Sequence, residues 1–282
     1  VHQSGKKIVS FGVRGDAHVE ITTYGAQRPL HSGHYGNWAP NPALMLAKLL
    51  ASMKDDNGRV TIKGFYEDVT PLTNEEKKAI ADIPPVDAQM KGELKFVQEE
   101  IPGMVLAEAI MLPSLNINGM QSGNVGKQAS NVIPTTASAV IDLRMVPGNE
   151  YTLQQQKVVN HIKSQGYHVT VNEPTDVERK TFSKIARVTL SDGYNAQRTP
   201  MSLPVARQVV AAVGSTTADK VVLMPSMGGS LPLFIFEKYL HAITISFPVA
   251  NHDNNQHAEN KDIPIQKLCN GRGTMTSRGW RR

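Results

Sequence analysis

One cysteine, Cys269, is all the sequence has, which excludes an internal disulfide framework, a multi-cysteine zinc ribbon and an iron-sulfur site. No run approaches the roughly 18 apolar residues of a membrane span, and residues 1–14 hold no apolar core behind a charged head of the kind that marks a signal peptide. No membrane partner is expected. Excess charge is missing from most of the chain. Lys267, Arg272, Arg278, Arg281 and Arg282 follow position 266 with no Asp or Glu among them, and they account for the whole formal net charge of +5. A neutral body lacks the broad basic face that phosphate binding needs. Aromatics are also absent from residues 135–146, the strand on which an RNA-binding sheet of this kind would stack bases. No nucleic-acid partner is expected.

Several reaction classes fall away because a motif is incomplete. Gly126-Lys127 invites a phosphate-loop reading, but the positions that need a first glycine and a hydroxyl are Gln121 and Gln128. Ser230 lacks the glycine two residues on that a nucleophile elbow requires, because Pro232 stands there. His252 and His257 lie five apart, not at the four-residue spacing that puts two histidines of one helix on one metal.

What remains is ordinary for a folded protein of about two domains: 282 residues, 40% apolar and 20% charged. The most distinctive stretch is 24–42, where two histidines, three glycines and three prolines lie between a strand-like and a helix-like run. Glycine lets backbone approach a ligand, proline stiffens the path, and His31 and His34 exchange protons near neutral pH. Before it, 7–13 is a short apolar run and 17–24 alternates as a strand. After it, Asn41 caps a helix running to Met53 with Leu46, Leu49 and Leu50 on one face.

Proline-broken residues 59–113 read as an insertion, with a strand at 60–65, a Thr73-capped helix with Glu76 at its third position, and a helix at 92–100. Strands follow at 115–120 and 135–146, then a helix at 151–165 and a strand at 167–171. Without the insertion the order is βαββαβ, that of a ferredoxin-like unit. Beyond Pro174 come apolar segments at 182–190, 205–213, 220–224 and 235–247, which together suggest one half of an α/β domain.

Four polar clusters punctuate this order: Leu30-His31-Ser32-Gly33; Asn131-Val132-Ile133-Pro134 followed by Asp142-Leu143-Arg144; Gly228-Gly229-Ser230-Leu231-Pro232; and His257-Ala258-Glu259-Asn260. Taken in sequence they resemble the co-catalytic zinc metallopeptidases that include aminoacylase, carnosine dipeptidase, glutamate carboxypeptidase and succinyl-diaminopimelate desuccinylase. The resemblance spans about residues 1–266. It implies an α/β catalytic domain interrupted by an α+β lid of ferredoxin-like fold through which subunits dimerise. Residues 1–17 would end the first catalytic half, 18–175 form the lid, and 176–266 form the second half, leaving 267–282 as a basic tail more like an altered reading frame than a family helix.

The resemblance further implies metal-dependent hydrolysis of an amide bond in a small peptide or N-acyl amino acid. Two zinc ions, with cobalt or manganese as alternatives, would activate a water. His257 is the one metal ligand it assigns here, the others and the catalytic glutamate being expected upstream of Val1. His31 would reach in trans into a partner's site as an oxyanion donor, a role typically worth about 100- to 1000-fold in rate. Asn131 would contact substrate beside it. Arg144 and Ser230 would hold the substrate's carboxylate, with Gly228 and Gly229 letting backbone approach. Lys261 departs from the pattern, where a glutamate usually follows Asn260. The alternative implied is a catalytically inactive fragment that acts only as a homodimerisation module.

Overall fold

The computed structural model describes residues 2–250, 263 and 265–275. Its first part holds β1 (Ile8–Ser10), β2 (Gly12–Tyr24), β3 (Leu30–His31), α1 (Ser32–Tyr35) and α2 (Pro42–Ala51). The insertion carries α3 (Asn74–Ala81), α4 (Asp87–Leu94) and α5 (Leu106–Ala109). Then come β4 (Ser114–Gln121), β5 (Val132–Ile133), β6 (Thr136–Met145), α6 (Tyr151–Ser164), β7 (His168–Thr170), α7 (Asp176–Thr181) and β8 (Ile185–Leu190). The last part holds β9 (Gln197–Arg198), α8 (Pro204–Gly214), β10 (Val222–Met224), β11 (Met227–Ser230), α9 (Phe234–Leu240) and α10 (Ile265–Met275).

The βαββαβ order is observed, organised on β2. This strand of 13 residues runs antiparallel to β6 from Gly15↔Met145 to Tyr24↔Thr136, and the sheet order is β4-β6-β2-β8-β7. Alternation decides its two faces. Ala17, Val19 and Ile21 of β2 and Ala139, Ile141 and Leu143 of β6 are buried, packing with Leu46, Leu49, Leu50 and Met53 from α2 and its C-terminal turn and with Val158 and Ile162 from α6. Asp16, His18 and Glu20 point to the opposite face. Helix α2 begins as its sequence dictates: the Asn41 side chain accepts from the Ala43 and Leu44 amides, and Pro42 at N1 gives up no needed donor. Each fully buried leucine beneath it contributes about 1.5–3 kcal/mol of burial.

The sheet differs from expectation at its far side. Ile185–Leu190, read from the sequence as the start of the second half, pairs with β2 from Val19↔Leu190 to Thr23↔Ala186, so the sheet extends past position 175. The expected last strand, β7, lies outside it and runs parallel to β8. The reason is packing: β8 inserts Ala186 and Val188 into the core that β2 and β6 form, whereas the three residues of β7 are only half-buried.

Within the insertion, residues 60–65 bury Val60, Ile62 and Phe65 but form turns, with one bridge from Lys54 to Val60. Gly64 at φ 77° breaks any extended run there. The helix expected at 92–100 instead spans α4 and stops where Lys95 turns left-handed, at φ 58°.

A second core joins Val9, Phe11, Met201, Ala206, Val213 and Val221 with Ala79 of α3. Here β1 pairs in parallel with β10, the topology expected of half an α/β domain. The beginning of β2 belongs to this half as well, pairing with β9 through Gly12↔Arg198 and with β11 through Met227↔Val13. One strand is thus shared by both halves. Part of the expected tail is a helix: in α10, Thr274 is fully buried and its hydroxyl accepts from Lys7 Nζ at 2.7 Å.

Candidate active site

On the face opposite α2 and α6, register sets Asp16 opposite Arg144 and His18 opposite Asp142. Arg144 Nε donates to Asp142 Oδ2 at 2.9 Å and lies 3.6 Å from Asp16 Oδ1, while its Nη1 donates to Ser230 Oγ at 2.7 Å. The Ser230 hydroxyl in turn donates to the Gly15 carbonyl at 3.2 Å. Ser230 can reach this point because β11 lies parallel to β2 with a bulge between Met227 and Ser230. Gly228 and Gly229 fill that bulge and are exposed, and a Cβ on Gly229 would meet nothing within 4 Å. The backbone here is open to a ligand.

The electrostatics of the cluster are those of crowded, half-buried charges. Burial and the contact with Asp142 raise the Asp16 carboxyl above its usual range, although Arg144 opposes them. Arg14, in the same row, donates to the Leu112 carbonyl and to Ser114 Oγ, and burial together with the nearby Arg144 lowers it to about 10. Burial works against the Arg144 cation too, but the hydrogen bond and charge of Asp142 and the charge of Asp16 more than offset it, leaving Arg144 raised. Burial and the negative charge of Asp16 likewise raise the Tyr194 phenol.

Asp16, His18 and Asp142 place one donor atom each within 4.8 Å of one another, the one such group of three among the described residues. By type these suit a divalent cation. By surroundings they do not, because the Arg144 guanidinium already stands against both carboxylates and Arg14 adds a second positive charge. A metal centre needs other ligands, and His257, the one expected here, lies outside the described residues.

His31 and Asn131 sit elsewhere. They meet on the small β3–β5 ladder, where His31 pairs with Val132 and the Ser32 amide donates to the Asn131 carbonyl. Both are exposed. His31 Nδ1 accepts from the Gly33 amide at 3.0 Å, which assigns the proton of the neutral ring to Nε2 and makes that nitrogen the donor. A Cβ at Gly33 would meet the His31 ring at 3.0 Å, so glycine gives the ring room here. This ladder lies beyond the Tyr24 end of β2, and Arg144 lies at the Asp16 end. Eight residues of strand, about 26 Å, separate those ends.

The structure therefore brings Arg144, Ser230, Gly228 and Gly229 into one cluster and His31 with Asn131 into another. Residues 11–170 match the peptidase dimerisation domain of the M20 peptidases. The chain belongs to the M20 peptidase family. A Cys-Gly metallodipeptidase of Candida albicans is 25% identical across 96% of this chain and 54% of its own length. Human Beta-Ala-His dipeptidase is 24% identical across 92% of the chain and 49% of its own length. The chain thus spans about half the length of these curated M20 relatives. An M20 metallo-carboxypeptidase from Sulfolobus solfataricus superposes with a TM-score of 0.80 at 23% identity, over 96% of this chain and 59% of its own, which establishes the shared fold.

Sequence reading of this M20 chain did not single out Arg14, Asp16, His18 or Tyr194. A signal was present: charged or polar residues at 14, 16, 18 and 20 alternate along β2. Only the register with β6 turns that alternation into a cluster around Arg144.

Proposed function

We propose that this chain is the lid and second catalytic half of a metal-dependent dipeptidase or carboxypeptidase-like enzyme, and that Arg144 and Ser230 grip the carboxylate of its small peptide or N-acyl amino acid substrate. The observation that carries this is the Arg144–Ser230 hydrogen bond, made across 86 residues of sequence between lid and second half. A planar guanidinium offers a carboxylate paired donors, and the exposed glycines beside it leave room for the rest of the ligand. Metal ions, proposed as two zincs held by His257 and by residues upstream, supply an activated water when bound. The residues of this chain position the substrate for it.

His31 acts on a neighbouring subunit's substrate. At about 26 Å of strand from Arg144 it does not share that clamp within one chain, and its Nε2–H suits donation to the oxygen of a tetrahedral intermediate. Asn131 accompanies it. Two copies pair through the lid, whose β4 has an exposed outer edge from Asn116 onward. A second reading, in which the chain alone is only a dimerisation module, is favoured by the family match itself and predicts a dimer without hydrolysis.

The test uses the complete enzyme that contains this chain. Arg144→Lys raises KM for a dipeptide by about 10- to 100-fold, the value of a charge-assisted hydrogen bond, and leaves the C-terminally amidated peptide unchanged. Equal effects on both substrates, or none, would overturn the assignment.

A further inference from the structure

Two carboxyl oxygens of the clamp have no donor. Asp16 Oδ1 and Asp142 Oδ1 are both shielded from solvent and both lack a hydrogen-bond partner. Asp142 is 7% exposed, and its other oxygen is taken by Arg144. The two carboxyl groups nevertheless approach each other, one oxygen of each lying within 4.8 Å of the other. Ionised carboxylates are acceptors only, so this contact bonds only if one of them carries a proton.

We propose that Asp16 and Asp142 hold a single proton between them and act as the positioning pair for Arg144, so that the clamp meets an incoming carboxylate with one net positive charge. This rests on the reading of Arg144 as the substrate's carboxylate ligand. With both acids ionised, Asp16 and Asp142 balance Arg14 and Arg144, and nothing is left to attract an anion. With one proton shared, the two guanidiniums outnumber the one negative charge. The pair also fixes direction: Arg144 Nε donates to Asp142 Oδ2 and lies 3.6 Å from Asp16 Oδ1, which leaves Nη1 to donate to Ser230.

The groups facing the pair are Arg14 and His18 from β2, Arg144 from β6, Tyr194 from the loop before β9, Ser230 from β11, and Ser114 and Asn116 from β4. Of these His18 is the imidazole beside the pair, 3.5 Å from Asp142 Oδ1. The raised carboxyl of Asp16 identifies the acid that retains the proton as pH rises. The sign follows: deprotonation on the alkaline side adds a negative charge beside Arg144 and weakens carboxylate binding.

Two measurements test the pair. In the complete enzyme, KM is followed against pH for a dipeptide and for its C-terminal amide, so that dividing one by the other cancels the metal-bound water and every other shared ionisation. The ratio rises by about tenfold or more with pH in the parent, the change one unit of pKa coupling represents. It is flat and low in Asp16→Asn, which mimics the protonated acid, while His18→Gln retains the rise. If Arg144→Lys changes KM for dipeptide and amide alike, the clamp reading itself has failed. If that substitution discriminates between them but Asp16→Asn keeps the parent's pH dependence, only the shared proton has failed.

The second measurement, carboxyl-carbon NMR of this chain, shows Asp16 and Asp142 titrating as a coupled pair, with the second proton leaving above the ordinary aspartate range. Independent titrations in the ordinary range overturn the proposal. So does a zinc-dependent shift of both signals, which would make the group a metal site.

Discussion

Glu76 and Arg198 form an ion pair whose loss should be felt across the molecule. Glu76 Oε1 meets Arg198 Nε at 2.8 Å with side-chain exposures of 5% and 9%, and Glu76 Oε2 accepts from the Thr73 amide at 2.7 Å to complete the capping box of α3. Arg198 lies opposite Gly12 at the start of β2, so the pair ties the insertion to the strand both halves share. Removing one partner of a buried pair typically costs about 3–5 kcal/mol, because the other charge is left without water or counter-charge. Glu76→Ala also removes the reciprocal half of the cap, adding up to about 1 kcal/mol. Glu76→Gln keeps a cap acceptor and should lose less. Arg198→Met strands Glu76 and should resemble the alanine variant. The decisive variant is the double one, Glu76→Leu with Arg198→Met, which buries no charge. Urea unfolding followed by circular dichroism should find it more stable than either Glu76→Ala or Arg198→Met. A double variant that loses the sum of those two effects would refute the desolvation argument.

Mixing His31→Ala subunits with Arg144→Met subunits should restore about one quarter of parental activity in the complete enzyme, since half of randomly paired dimers then carry one intact site of two; no recovery on mixing would place His31 in its own subunit's site. Hydrogen bonds from Thr175 and His168 hold Glu178 down at about pKa 2, against an ordinary value near 4.3. A depressed carboxyl contributes stability that is present above its unfolded value and lost as pH falls toward 2, so Glu178→Gln should flatten the acid limb of urea midpoints in that window. Gly148, at φ 95°, turns the chain after β6 where a Cβ would meet the Asp68 carbonyl. Gly148→Ala should cost about 1–3 kcal/mol by the same urea assay, whereas alanine at the open, left-handed Gly166 should lose less.

Local chemistry was legible in the sequence, and distant pairing was not. Asn41 before Pro42, Thr73 with Glu76, and the alternation through 136–145 each declare an element from within a few residues, and each is observed. Thr175 with Glu178 carries the same capping pattern as Thr73 with Glu76 and was overlooked beside Pro174. The seating of β8 between β2 and β7 depends on a core assembled from four other elements, which no local window contains. Helix α10 defies its own composition: Gly271 and Gly273 are poor helix formers, but Gly271 lets the backbone lie against Val249, and Thr274 is held by Lys7 and Thr216. In the candidate site Arg144 and Ser230 are proposed from their motifs, and the structure joins them by a hydrogen bond. Asp16 was missed because its importance comes from what lies across the sheet.

The sharing of β2 bears on how this molecule comes apart. From Val19 to Thr23 its backbone is bonded on one side to β6 and on the other to β8, while at Gly12 and Val13 it is laced to β9 and β11. Neither half can melt without tearing a strand out of the other. Denaturation should therefore proceed as one cooperative event, with the amides of β2 among the last to exchange their hydrogens for deuterium.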